Sequence, residues 1–178
     1  MKMSGKKVII IIAEGYTDPE LWFPYYRFQE EGAEVIIAGP KKGRVLGEGV
    51  LGKNGWPALI THSIDDITEM KFDILFFAGG IYAPLELRNM KSVQELVHRS
   101  VDKGILTCAI CHAPWILISA GVVKGKKISC PPDMAIDVIN AGGIYVEDKA
   151  VIDGCLLTSV YYNTLPDMFR LLMERAQA

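Results

Sequence analysis

Six consecutive apolar residues, Val8-Ile9-Ile10-Ile11-Ile12-Ala13, stop abruptly at Glu14. A strand that is apolar at every position has no face to give to water, so it belongs at the centre of a sheet covered on both sides by helices. The run is too short for a membrane span or the core of a secretory signal, despite Lys2, Lys6 and Lys7 ahead of it. The same pattern recurs in Glu34-Val35-Ile36-Ile37-Ala38, in Phe72-Asp73-Ile74-Leu75-Phe76-Phe77-Ala78 and in Ile105-Leu106-Thr107-Cys108-Ala109-Ile110.

Helical patterns separate these strands. Asp18-Pro19-Glu20-Leu21 reads as a helix start, with an acid at the cap, proline in the first turn and a second acid near the positive end. Leu21, Trp22, Tyr25 and Phe28 follow at helical spacing, and Glu30-Glu31-Gly32 ends the helix. An amphipathic helix is expected over 92–103, with Val93, Leu96, Val97 and Val101 on one face. Another starts at Pro114 and stops at Gly121, and a last one is expected over 164–176. The glycine- and lysine-rich stretch 39–57 reads as a hairpin excursion, and Ser63-Ile64-Asp65-Asp66-Ile67 as a short helix. Further strand signals fall at 144–146, 150–152 and 156–159. Strands alternating with helices specify an α/β fold with a mostly parallel sheet, whose ligands bind beyond the carboxyl ends of the strands.

The chain has 178 residues and is read as one domain, 1–178. Half of it is hydrophobic and 22% is charged, which excludes intrinsic disorder. A formal net charge of −2 and the lack of a basic stripe argue against a nucleic-acid binder. With no membrane span or signal peptide read from the sequence, a soluble cytoplasmic protein is expected, and its four cysteines are read as free thiols. No zinc-site spacing and no phosphate-binding glycine pattern occurs, so neither metal nor cofactor is expected.

The candidate chemistry centres on Ile110-Cys111-His112-Ala113-Pro114. A buried strand runs straight into a cysteine and a helix begins at once, the layout of a nucleophile elbow. Such a turn presents Cys111 at the top of the sheet, the following helix favours thiolate over thiol, and the His112 N–H is available to an oxyanion. The competing reading is a buried, inert cysteine; position beside His112 at a strand-to-helix junction favours reactivity. Gly79-Gly80 ends the strand expected to lie beside that of Cys111, and glycines there let the backbone turn its N–H groups toward a ligand. Glu20 lies at the same carboxyl edge; on spacing alone, an ordinary helix-start acid accounts for it.

Cys108-Ala109-Ile110-Cys111-His112 also matches the C-x-x-C-H attachment pattern of c-type haem and contains the dithiol pattern of thioredoxin-like proteins. Both fit poorly, because Cys108 precedes the junction and lies inside a strand. His62 and His98 read as a loop residue and an exposed helix residue.

Ala109-Ile110-Cys111-His112-Ala113-Pro114, followed by Ile116-Leu117-Ile118-Ser119-Ala120-Gly121-Val122, resembles the nucleophile segment of the ThiJ/PfpI superfamily, especially its PfpI-type intracellular proteases. Asp18-x-Glu20-Leu21-x-x-Pro24-Tyr25-x-Arg27 is similar to that family's first helix and Gly52-Lys53-Asn54-Gly55 to its hairpin. Gly79-Gly80, Ile139-Asn140-Ala141-Gly142 and Asp153-Gly154 with Leu157-Thr158-Ser159 follow in the family's order. The resemblance implies a flavodoxin-like three-layer α/β/α sandwich, Cys111 as nucleophile and Glu20 as the acid touching its sulfur. It also implies an oxyanion and substrate-binding group of Gly79 or Gly80 with the His112 N–H, and Ala113 stands where the family carries glycine. Relatives act as peptidases, as cofactor-independent glyoxalases or as proposed deglycases, and many form dimers or larger rings.

Two departures bear on activity. PfpI-type proteases place an acid where Leu85 stands, with Glu86 one residue later, and Val160-Tyr161-Tyr162 stands near where the family often has arginine. The expectation is therefore a cysteine-nucleophile enzyme, with Cys111, Glu20 and His112 as catalytic residues, acting on a small carbonyl compound or an amide or peptide, as a homodimer or higher oligomer. The rival is a redox sensor in which Cys111 is oxidised and resolved by Cys108 or Cys130. An amidotransferase is disfavoured, because no histidine follows His112.

Overall fold

The computed structural model describes residues 1–49 and 55–176. In chain order the elements are β1 (Lys7–Ile11), α1 (Asp18–Glu30), β2 (Glu34–Gly39), β3 (Gly43–Leu46), β4 (Pro57–Ile60), β5 (His62–Ser63), α2 (Ile64–Ile67), β6 (Ile74–Phe77) and α3 (Tyr82–Leu87). There follow α4 (Lys91–Asp102), β7 (Leu106–Ile110), α5 (Pro114–Ser119), β8 (Lys127–Ile128), α6 (Ala135–Asn140), β9 (Ile144–Tyr145), β10 (Ala150–Asp153), β11 (Leu156–Ser159) and α7 (Leu165–Arg175). Two 3₁₀ turns, Pro132–Met134 and Tyr162–Thr164, complete the described chain.

Seven strands form the main sheet in the order β10-β11-β7-β6-β1-β2-β5. All of its pairings are parallel except β10 with β11. The all-apolar runs occupy its centre: Val8 to Ile11, Ile74 to Phe77 and Leu106 to Ile110 are buried without alternation. From β1 the chain crosses to β2 on one side, whereas from β6 it crosses to β7 on the other. Right-handed crossovers then put α1 and α4 on opposite faces of the sheet. α1 and α7 share one face, where Phe23 and Phe28 meet Phe169 at ring separations of 5.2 and 5.0 Å, above Phe76. α4 covers the other face with Val93, Leu96 and Val97. The order reverses between β1 and β6, and such a reversal opens a crevice at the strands' carboxyl ends.

The excursion expected over 39–57 is the antiparallel hairpin β3–β4. Of the family-like hairpin segment, Gly52, Lys53 and Asn54 lie outside the described residues. The short helix after Ser63 forms, closed by a capping box between Ser63 and Asp66. The strand signal at 144–146 does not join the main sheet: β9 pairs with β8 in a separate two-stranded ladder, the main sheet's edge being taken by β10. α3 and α6 had no sequence expectation; each is six residues long, too short for a clear apolar period.

Candidate active site

Four neighbouring parallel strands, β1, β6, β7 and β11, deliver their carboxyl ends to one spot. At the end of β7, Cys111 has φ 59°, the only positive φ of a non-glycine among the described residues. The turn is locked on both sides: the Cys111 N–H donates to the Ser159 carbonyl of β11 at 3.1 Å, and the Ala113 N–H to the Ile110 carbonyl at 3.0 Å. The elbow read from the sequence is therefore present. Ala113, expected beside Gly79 and Gly80 among the oxyanion and substrate-binding residues, is wholly buried, and its N–H is consumed inside the turn, which leaves no donor for a ligand.

Glu20 projects from the first turn of α1 and is fully buried. Its Oε2 accepts the Gly79 N–H at 3.0 Å. Its Oε1 has no partner by strict geometry, but the Cys111 thiol and the Tyr162 N–H are the further groups that stabilise its charge. Gly79 leaves no room for a side chain: a Cβ there would fall 2.5 Å from Glu20 Oε2 and 2.6 Å from both Cys111 Cβ and the Ile110 carbonyl. Gly80, at φ +98°, takes a conformation that side-chain-bearing residues rarely adopt. The structure thus brings Cys111, Glu20, Gly79, Gly80 and His112 together.

The electrostatics depart from the sequence expectation of a helix-stabilised thiolate. α5 has only six residues, and burial pushes the Cys111 thiol above its ordinary range, with the charge of Glu20 adding to the effect. The Gly80 and His112 N–H groups pull it back down. Burial likewise pushes Glu20 up, to about 8, with the charge of Glu48 contributing. A protonated Glu20 carries no charge to oppose thiolate formation. The two groups therefore titrate as a pair, and each proton position depends on the other.

Sequence reasoning missed the acid on the histidine. His112 Nδ1 lies 3.3 Å from Cys111 Sγ, and its Nε2 lies 3.2 Å from Asp133 Oδ2. Asp133 sits in the 3₁₀ turn of the same chain, whereas Leu85 and Glu86, where an acid was sought, lie exposed on α3. The only local signal was an acid following the turn-forming Cys130-Pro131-Pro132. Trp115 backs the imidazole at a ring separation of 4.8 Å, itself held by the Arg88 guanidinium and by Asp137. Cys108 is wholly buried in mid-strand, which does not fit haem attachment. Among the described residues no cluster of three or more His, Cys, Asp or Glu is placed to hold a metal ion, and no helix is long and apolar enough to cross a membrane.

The DJ-1/PfpI family model matches residues 6–175. This chain belongs to the DJ-1/PfpI family. It is 35% identical to Deglycase PfpI of Pyrococcus furiosus over 153 residues, 86% of this chain and 89% of that relative. It is 34% identical to Protein/nucleic acid deglycase 2 of Escherichia coli over 164 residues, 91% and 92% of the two chains. The crystal structure of DJ-1beta from Drosophila melanogaster superposes with a TM-score of 0.87 at 28% identity, covering 99% of this chain and 92% of that one. The mostly parallel sheet and its helix layers are those of this α/β family.

Proposed function

We propose that this protein is a cofactor-independent cysteine enzyme acting on small carbonyl or amide substrates, with Cys111 as nucleophile. The observation that carries the reading is the left-handed Cys111 at the end of β7, with the Gly80 and His112 N–H groups aimed at its sulfur and the buried Glu20 beside it. In a 2-oxoaldehyde, the sulfur attacks the aldehyde carbon, a C–S bond forms, and the C=O electron pair moves to oxygen. The Gly80 and His112 N–H groups hold that oxyanion. The thiol proton passes to His112 Nδ1, 3.3 Å away, and Asp133 steadies the resulting imidazolium. Glu20, in its carboxylate form, takes the proton from the former aldehyde carbon and delivers it to the neighbouring ketone carbon, while the ketone oxygen takes the proton held on His112; the former aldehyde oxygen closes to a carbonyl and a thioester of the 2-hydroxy acid is left. Water then adds to that carbonyl, the C–S bond breaks, a proton of the water goes to sulfur and the 2-hydroxy acid leaves. With an amide, the same attack expels an amine and leaves an acyl-enzyme. The relatives named deglycases and the PfpI-like helix favour an enzyme of this class.

The test is hydroxy-acid formation from methylglyoxal by the wild-type, Cys111→Ala and Glu20→Gln proteins, with amide and peptide substrates run beside it. Turnover lost in both variants supports the reading. If no substrate is turned over above the Cys111→Ala background while peroxide still oxidises Cys111, the sensor reading takes its place.

A further inference from the structure

Glu48 follows β3 in the hairpin and is half-buried at the mouth of the site. Its backbone N–H donates to the Tyr16 carbonyl at 2.8 Å, which fastens this arm to the loop leaving β1. Its carboxylate then reaches two other segments. Oε1 accepts from the Thr17 hydroxyl at 3.0 Å, and Oε2 accepts from the Ile81 N–H at 3.4 Å. Thr17 is the N-cap of α1, yet its side chain caps no N–H of that helix. A threonine at this position ordinarily turns its oxygen to the first-turn amides; here the hydroxyl is given to Glu48. The Ile81 N–H belongs to the residue after Gly79-Gly80, and a Cβ on Gly80 would sit 3.2 Å from Glu48 Oε1. One side chain therefore ties the start of the helix that carries Glu20 to the turn that carries the Gly80 donor.

We propose that Glu48 is a positioning residue for this site: from the hairpin it fixes the turns bearing Glu20 and Gly80, and it sets the field in which the Cys111 sulfur works. The proposal rests on Cys111 being the nucleophile. The groups that act on Cys111 and Glu20 are each other, Glu48 from the hairpin, His112 with its partner Asp133, Tyr161 after β11, and the Gly79, Gly80, His112 and Tyr162 N–H groups. Glu48 is the negative charge among them that comes from outside the Cys111–Glu20 and His112–Asp133 pairs. Its charge raises both Glu20 and Cys111, so it favours the protonated pair until substrate arrives.

Two effects are predicted, and they separate by variant. Glu48→Gln keeps the size of the side chain and an accepting oxygen but removes the charge. Glu48→Asp keeps the charge but is one methylene too short to span Thr17 and Ile81. Thr17→Val removes the hydroxyl bond alone. The first readout is the pH dependence of Cys111 alkylation by iodoacetamide, followed on the Cys111 peptide by mass spectrometry; it needs no substrate. The second is kcat/KM for methylglyoxal. Glu48→Gln is expected to move the alkylation midpoint down by about half a unit to one unit. Glu48→Asp and Thr17→Val are expected to leave the midpoint near that of wild type while kcat/KM falls about tenfold. Thermal unfolding checks that each variant is folded. An alkylation profile of folded Glu48→Gln that coincides with wild type overturns the inference, as does an equal midpoint shift in all three variants. Absence of turnover in the wild type would instead remove the proposed function, with the alkylation result still readable.

Discussion

A left-handed φ costs a residue with a side chain about 1–3 kcal/mol, and Cys111 holds one because Ser159 and Ile110 grip the turn on either side. Glycine takes this φ without that cost. Cys111→Gly is therefore expected to unfold at a temperature at least as high as Cys111→Ala, by about 1 kcal/mol or some 2–4 °C, although neither variant turns over. Calorimetry of the pair checks this, and a less stable glycine variant would mean that the turn is not under strain. The relay is graded too. His112 is buried and touches the sulfur, so His112→Ala is expected to lower kcat/KM by about 10²–10⁴. The Asp133 side chain is 68% exposed, and water screens its hold on the imidazolium. Asp133→Asn is therefore expected to cost no more than about tenfold. Steady-state kinetics of the two variants would contradict this order if the asparagine variant were the weaker.

Among the elements, the turn after β6 tolerates little. A methyl group on Gly79 meets Glu20 Oε2, Cys111 Cβ and the Ile110 carbonyl, two of them on or beside backbone that cannot yield. Gly79→Ala should force β6 and β7 apart locally, with a loss of about 2–4 kcal/mol in denaturant unfolding; a loss under about 1 kcal/mol would contradict it. The hairpin is fastened by another buried acid. Asp18 accepts from the Gly49 and Trp56 N–H groups, and Asp18→Ala strands both donors. How legible each part was follows from its range in sequence. β1, β6 and β7 could be read because burial on both faces leaves an unbroken apolar run, and Cys111 could be read because the strand ends there. Glu20 was ambiguous on spacing, since any helix start attracts acids; only the resemblance separated it from Asp18. Glu48 carried no local signal, and Asp133 only that of an acid following two turn-forming prolines. Each is brought to the site by a segment whose path is set by tertiary packing, and neither lies in an element long enough to show a period.

At the scale of the whole molecule, the buried Glu20 links the site to stability. Its carboxyl is raised to about 8 in the folded chain, mainly by burial, against an ordinary value near 4.5. Below about pH 4.5 it is protonated in both states and does not disfavour folding. Between that point and about pH 8 the unfolded chain releases the proton while the folded chain retains it, so stability falls as pH rises; above about 8 the full penalty applies. Asp66, Asp73 and Asp153 are lowered by their hydrogen bonds and act in the opposite direction at acid pH, but they are unchanged by substitution at Glu20 and cancel in a difference. Glu20→Gln removes the titration, and its amide oxygen still accepts the Gly79 N–H. Made in a Cys111→Ala background, which removes the coupled thiol, it is expected to gain stability over its parent progressively from pH 5 to pH 8.5. The gain should reach a few kcal/mol, at about 2–4 °C in melting temperature for each. Parallel melting curves across that range would mean that Glu20 is ionised in the folded protein near its ordinary value. The Cys111–Glu20 pair would then enter catalysis with the proton on sulfur, and His112 alone would have to remove it.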